Sequence, residues 1–237
     1  MPHNLSTYQG SELLLFEKAR KWKRYFFSFI KPYIKKEVLE VGAGLGSNTA
    51  LLNEGFAQKW ILLEPDVAMS TQLKKKGDDG ELPSNCEIIC GTISQLKEKE
   101  QFDTIIYIDV LEHIEDDKKE AKRAAQLLKS GGHLIILSPA FSCLYSPFDK
   151  AIGHYRRYNK KKLKAVIPAS LKKVCLFYLD STGFFISMLN RILLKQKYPT
   201  QKQVNFWDHY GVPVSKIVDR IAIYSFGKTI LGIWKKE

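Results

Sequence analysis

This chain of 237 residues lacks the marks of several common protein classes. Its four cysteines, Cys86, Cys90, Cys143 and Cys175, show no CxxC spacing and no histidines at zinc-finger distances. That argues against a disulfide framework or a structural zinc site, and the expectation is reduced thiols in a cytoplasmic protein. The opening residues, MPHNLSTYQGSELLLFEKAR, lack a basic segment followed by an apolar one, so no signal peptide is expected. No apolar run is long enough to span a membrane. The nearest, VCLFYLDSTGFFISMLNRILL, is broken by Asp180, Asn190 and Arg191. There is no internal repeat and no low-complexity tract. Acidic residues are scarce outside the middle: residues 150–173 hold nine basic and no acidic side chains, whereas residues 38–149 hold eleven and eighteen. The net charge of +12 therefore belongs to the flanks, and the acidic middle is unsuited to a polyanion.

What is present is a sizeable core, at 45% hydrophobic residues, arranged as alternating strands and helices. SELLLFEKARKWKRYFFSFIKPYI reads as a helix with Ser11 as its N-cap. The short apolar runs EVLEV, KWILLEP, CEIICG, FDTIIYID and HLIILSP read as five strands. Between them, SNTALLNEG, DVAMSTQLKKKG (capped by Asp66) and EDDKKEAKRAAQLLKSGG read as helices. Nearly continuous apolar strands alternating with helices predict a doubly wound α/β fold with a parallel sheet covered on both faces. Further on, LKKVCLFYL and KTILGIWKK read as strands and 182–194 as a helix, leaving residues 181–226 as an accessory lobe.

The chemistry is concentrated in VLEVGAGLGSNTALL. Its glycines, Gly42, Gly44 and Gly46, have GxGxG spacing, whereas a dinucleotide fingerprint needs its third glycine at position 47, where Ser47 stands. This disfavours a nicotinamide oxidoreductase. Glu40, just before the turn, repels a pyrophosphate but suits an ammonium or sulfonium. Glu64 ends the second strand, where a carboxylate can hold a ribose diol.

With those residues the chain resembles the class I, Rossmann-like S-adenosylmethionine-dependent methyltransferases. LEVGAGLGSNT, LLEPD, CGTISQL, FDTIIYIDVLEHIEDD and LLKSGGHLIILSP follow the order of the family's segments over residues 38–140. The flanks, KWKRYFFSFIKPYIKKEVLEVGAG and SPFDKAIGHYRRYNKKKL, are more loosely similar to bacterial members associated with glycan or lipid assembly. The resemblance implies a seven-stranded, mostly parallel sheet with an antiparallel last strand. An N-terminal helical cap (1–35) would precede the methyltransferase domain (36–237), with lid insertions at 141–170 and 181–226. It implies S-adenosylmethionine as cofactor, S-adenosylhomocysteine as product, and no metal. Gly42, Gly44 and Gly46 would line the cofactor's methionine and ribose, with Glu40 near its amino group and Glu64 on the ribose hydroxyls. Pro65 and Asp66 would flank the adenine. Thr92, beside Ile93, stands where the family usually has an aspartate for the adenine amino group. Asp109, Val110 and His113 would close the methionine side. Plainer readings stand beside these: Glu64 and Asp66 as strand-end and N-cap acids, His113 as a residue holding the loop after strand four.

Methyl transfer from a sulfonium needs alignment and a dry site, and a hydroxyl acceptor also needs a base. GHYRRYNKKKLK follows strand five, at the sheet end where such folds bind ligands. His154 is the expected base or acceptor-orienting residue, with Tyr155 beside it. Arg156 or Arg157 would grip an acceptor phosphate or carboxylate bidentately. In the alternative reading the tyrosines pack a lid and Lys160, Lys161, Lys162 and Lys164 form a solvated helix face. IDVLEH lacks the Asn/Asp-Pro-Pro-aromatic pattern of nucleic-acid amino-methyltransferases, which argues against a nucleic-acid acceptor. FEKARKWKRYFFSFIKPYIKK mixes aromatics and bases as interfacial helices do, so an anionic membrane surface is a candidate partner. The expected acceptor is small or linked to a lipid or glycan, anionic, and methylated at oxygen or carbon. The alternatives are a non-catalytic binding protein with a basic surface and a nucleic-acid methyltransferase. Oligomeric state stays open.

Overall fold

Seven largely apolar segments align into one sheet, its central strands buried on both faces and its outer strands β3 and β6 partly open to water. The computed structural model describes residues 15–55, 57–97, 101–191 and 198–237, so the expected cap Ser11 lies outside them. The strands are β1 (Glu37–Val41), β2 (Lys59–Glu64), β3 (Cys86–Cys90), β4 (Phe102–Ile108), β5 (Leu128–Pro139), β6 (Leu171–Leu179) and β7 (Thr229–Lys236). Their order is β3-β2-β1-β4-β5-β7-β6. The first five pair in parallel, and β7 runs antiparallel to both its neighbours, as the resemblance implied. Alternate residues of a strand point to opposite faces, and in the central strands both faces are buried. Leu39, Ile61, Ile105 and Leu134 pack on one side, and Val38, Trp60, Ile106 and Ile135 on the other. Each of these side chains contributes about 1.5–3 kcal/mol by leaving water.

The helices are α1 (Arg20–Ile30), α2 (Thr49–Leu52), α3 (Val67–Asp78), α4 (Asp117–Leu127), α5 (Pro147–Ala151), α6 (Lys160–Val166), α7 (Ser181–Leu189), α8 (Gln201–Phe206) and α9 (Val212–Ile221). Asp66 caps α3 as expected, accepting from Met69 N at 2.9 Å. The expected α4 segment ends earlier than its sequence suggested. Leu128 is drawn into β5 opposite Phe102, and both side chains are buried.

The long first helix is interrupted at Lys18–Ala19, with no proline or glycine to explain it. A distant residue does. Asp208 accepts from the backbone of Lys21 at 3.2 Å and of Trp22 at 2.8 Å, amides that an unbroken helix would turn back on itself. Lys23 then takes the carbonyl of Glu17 at 3.1 Å. On the buried side of α1, Trp22, Tyr25, Phe26 and Ile30 recur at helical spacing.

The described parts of the accessory lobe, 181–191 and 198–226, are largely helical; a π-helical turn at Trp207–Gly211 joins α8 to α9, and that turn and α9 pack against α1. Two fully buried acids fix this lobe to the sheet. Asp219 accepts from Tyr25 Oη (3.0 Å), Asp180 N (2.9 Å) and Ser181 N (2.9 Å). Asp180, left-handed at φ +65°, caps α7 through Gly183 N and also accepts from Ser215 and Trp207. Among the described residues no helix is long and apolar enough to cross a membrane.

Candidate active site

The turn after β1 lies at the carboxyl ends of the parallel strands, and its shape depends on glycine. Gly42, Gly44 and Gly46 all adopt positive φ, at +66°, +58° and +73°. A Cβ on Gly42 would also stand 2.6 Å from Val110 Cγ2. Glu64 braces the turn from β2. Its Oε2 accepts from Gly44 N at 2.8 Å and its Oε1 from Asp66 N at 2.9 Å, and burial raises its pKa. Pro65 is exposed and Asp66 half-buried beside it.

Glu40 departs from expectation. Its Oε2 accepts from Thr49 Oγ1 at 2.8 Å and Trp60 Nε1 at 2.9 Å, and the residue is 2% exposed. It props the turn from beneath, where a contact with a ligand amine was expected. Burial raises its carboxyl to about 7. Thr92 stays exposed after β3, its hydroxyl 2.8 Å from Ser94 Oγ and its amide donating to Gln95. Ile93 turns inward and joins the core, so its side chain shapes the wall from behind.

After β4 the chain turns sharply at Asp109, φ +53°, and continues into a 3₁₀ turn at Leu111–His113. Asp109 touches solvent, yet the protein packed around it raises its carboxyl to about 6, opposed by the charges of His154, Lys228 and Arg157. Val110 packs on Gly42. Glu112 is fully buried: its Oε2 accepts from Ser138 Oγ at 2.9 Å, and its Oε1 has no hydrogen-bond partner. The rings of His113 and His154 meet edge-on with centroids 4.5 Å apart. Desolvation and the neighbouring His154 lower His113 to about 4.

The segment after β5 is anchored tightly, which changes the roles of its charged residues. Ser146 and Asp149 form a capping box at α5. The buried Asp149 carboxylate then gathers His154 Nδ1 (2.8 Å), Arg157 Nε (2.8 Å) and Arg157 Nη2 (3.0 Å). These partners outweigh burial and hold Asp149 well below the usual carboxylate range. The bidentate grip expected of Arg157 on an acceptor is thus made on Asp149. Arg156 likewise binds Asp117 at 2.6 Å and the carbonyl of Glu115 at 2.7 Å. Neither guanidinium faces an acceptor as expected, because each neutralises an acid of its own chain. Tyr155 is 55% exposed, whereas Tyr158 is buried and donates to Asp117. Lys161, Lys162 and Lys164 lie on a solvated face, as the plainer reading held, and Lys160 sits over the Tyr178 ring.

Three contributors escaped the sequence. Glu112 and Asp149 had local signals: one directly precedes His113, and the other completes an S-x-x-D capping pattern. Lys228 had none. It enters because antiparallel β7 begins at the same sheet edge where the parallel strands end. Its amine lies over the Trp207 and Phe16 rings, near Asp180, Asp149 and Asp109, and burial lowers its pKa.

The hollow therefore combines a glycine turn, a carboxylate at the end of β2, and a compact acid–imidazole cluster after β4. Residues 39–136 match the family described as methyltransferase domain. A tRNA U34 carboxymethyltransferase of Ruthia magnifica subsp. Calyptogena magnifica is 29% identical over 140 residues, covering 57% of this chain and 43% of that protein. A ubiquinone biosynthesis O-methyltransferase of Rhodopseudomonas palustris (strain HaA2) is 28% identical over 102 residues, covering 42% and 38%. The chain thus spans about two fifths of the length of these curated relatives. Among solved structures, a geranyl diphosphate methyltransferase in complex with SAM superposes with a TM-score of 0.66 at 11% identity, covering 98% of this chain and 92% of that one.

Proposed function

Because this chain carries a methyltransferase domain of the class I, Rossmann-like S-adenosylmethionine-dependent family, we propose that it transfers a methyl group from S-adenosylmethionine to an acceptor held beside His154. One observation carries the reading: Glu64 reaches across to the Gly44 amide within a turn of three left-handed glycines. The donor set fits the cofactor. Glu64 is a buried acceptor suited to a ribose diol, and Asp109 presents an exposed carboxyl on the side expected to hold the methionine.

Glu64 would hold the ribose hydroxyls, the turn Gly42–Gly46 the methionine and ribose, and Asp109 to His113 the methionine side. Pro65, Asp66 and Thr92 would flank the adenine. S-adenosylmethionine supplies, when bound, a methyl group activated by its positive sulfur. The protein's part is alignment and dryness. Glu40 fixes the turn, Val110 closes against Gly42, and Asp149 sets the His154 ring. Glu112, His113 and His154 are the basic groups at which a hydroxyl acceptor would lose its proton.

The acceptor we favour carries an apolar tail and an anionic group. Phe206, Tyr210, Val214, Ile217 and Ile221 recur at helical spacing along α8 to α9, and all are at least half exposed. Lys202, Lys216 and Arg220 flank that stripe. The interfacial face expected on α1 is thereby reassigned, since the aromatics Trp22, Tyr25, Phe26 and Phe27 are buried against the lobe and sheet. The two curated relatives are named for a tRNA and a ubiquinone-pathway substrate, and the exposed apolar stripe favours the second kind of chemistry.

Calorimetric titration with S-adenosylmethionine, S-adenosylhomocysteine and NAD tests the cofactor. Micromolar binding of both adenosyl ligands, absent for NAD and lost in Glu64→Ala, is expected. Binding of NAD alone, or of nothing, refutes the reading.

A further inference from the structure

Glu112, His113 and His154 come from two segments about forty positions apart, yet each brings one donor atom to a common point. The three atoms lie within 4.8 Å of one another. Glu112 is fully buried and its Oε1 has no hydrogen-bond partner. That oxygen stands 3.8 Å from His154 Nε2, beyond hydrogen-bond reach. The orientation of His154 follows from its other edge. Asp149 is ionised against Arg157 and can only accept, so His154 donates to it through Nδ1, and Nε2 is the edge that faces Glu112. The unpartnered Oε1 of Glu112 and the Nε2 edge of His154 therefore face one another across a gap that no hydrogen bond closes.

The surrounding charges agree. Arg157 neutralises Asp149, and Arg156 neutralises Asp117. Among the described residues neither Glu112 nor Asp109 forms an ion pair with a Lys or Arg, and Lys228 and Arg157 act on Asp109 only from a longer distance. Second contacts of the kind that orient metal-binding imidazoles are also present. His154 is fixed by the Asp149 carboxylate, and His113 hydrogen-bonds the backbone of Gly153.

We propose that Glu112 Oε1, His113 and His154 Nε2 bind a divalent transition-metal cation, with Asp109 beside it. Two imidazoles and a carboxylate select zinc or iron(II) over calcium or magnesium, with cobalt(II) as the spectroscopic stand-in for zinc. Metal–ligand bonds of about 2.0–2.2 Å put neighbouring donors roughly 3–3.5 Å apart, so the side chains close by about 1 Å or somewhat more. Three protein ligands leave coordination positions facing the hollow. Under the methyl-transfer reading, on which this last part rests, the acceptor's hydroxyl oxygen takes one of them. Its O–H bond breaks and the proton leaves to solvent. The oxygen's electron pair forms the new C–O bond while the C–S bond breaks and its pair stays on sulfur. His154 is then a ligand, and the cation lowers the hydroxyl's pKa.

The test uses the whole chain, stripped with chelator and titrated with cobalt(II) and zinc(II). Calorimetry and the visible ligand-field absorption of cobalt are the readouts. One equivalent should bind, and Glu112→Gln and His154→Gln should each weaken binding at least tenfold. Lys161→Gln, on the solvated face, should not change it. Circular dichroism and thermal melting check that each variant is folded, and S-adenosylmethionine affinity is measured on the unaltered protein. Absence of stoichiometric binding in the unaltered protein, or unchanged affinity in folded Glu112→Gln, overturns the site. Metal binding without S-adenosylmethionine binding would leave the site standing and sink the methyl-transfer reading, and the converse would sink the site alone.

Discussion

Gly42→Ala separates two costs that the turn avoids by having no side chain at that position. The first is backbone strain: an L-residue at φ +66° costs about 1–2 kcal/mol relative to glycine. The second is overlap, since the new methyl carbon would lie 2.6 and 2.9 Å from the two γ-carbons of Val110. Overpacking of that kind costs about 1–3 kcal/mol. Together they predict a loss of roughly 2–5 kcal/mol, which for a chain of this size lowers Tm by about 4–20 °C. A second substitution tells the two apart. Val110→Ala removes both γ-carbons, so the double variant should recover the overlap part, seen as a coupling of about 1–3 kcal/mol, and retain the strain. Urea unfolding of the four proteins in the cycle gives the numbers, and calorimetry with S-adenosylmethionine reports whether the turn has shifted. A Gly42→Ala protein that melts with the parent, or strictly additive effects in the double variant, would refute the reasoning.

Two further expectations follow from buried charge and exposed carbon. Glu40 titrates near 7 in the folded protein against 4.5 unfolded, so the native state holds the proton more tightly and the ionised group opposes folding. Stability should therefore fall by about 3 kcal/mol as pH rises from about 4.5 to 7 and level off above it. Glu40→Gln should flatten that slope in urea titrations at pH 5 and pH 8, and an unchanged slope would contradict it. Sedimentation with vesicles probes the α8–α9 stripe. The protein should pellet with phosphatidylglycerol but weakly with phosphatidylcholine, and Ile217→Asp should abolish pelleting. Equal behaviour of the variant would remove the membrane-facing role.

The sheet was readable from sequence because its signals are local. Each parallel strand carries a short apolar run, and β1 to β4 fall near their expected bounds, while β5 starts at Leu128, earlier than the run HLIILSP. The glycine turn was readable for the same reason: three glycines two apart have few other uses. What escaped depends on residues far apart in the chain. The break before α1 is made by Asp208, and the acids Asp180 and Asp219 lock the lobe through partners in three segments. Arg156 and Arg157 looked like acceptor ligands because nothing near them in sequence shows that Asp117 and Asp149 neutralise them. Glu112 was overlooked for a different reason. Its neighbours in IDVLEH are apolar or already assigned, and only the fold reveals that its second oxygen points at His154.

The bond from Asp208 to the backbone of Lys21 spans 187 positions. That gives the protein a timetable. A ribosome adding about 5–20 residues per second delivers Asp208 about 10–40 s after Lys21. Throughout that interval Trp22, whose ring will come to lie 5.7 Å from that of Trp207, has no partner on its lobe side. The first described helix is thus among the last to settle. Slow translation late in the message would prolong its exposure to chaperones and proteases, although every residue of the helix itself had long been made.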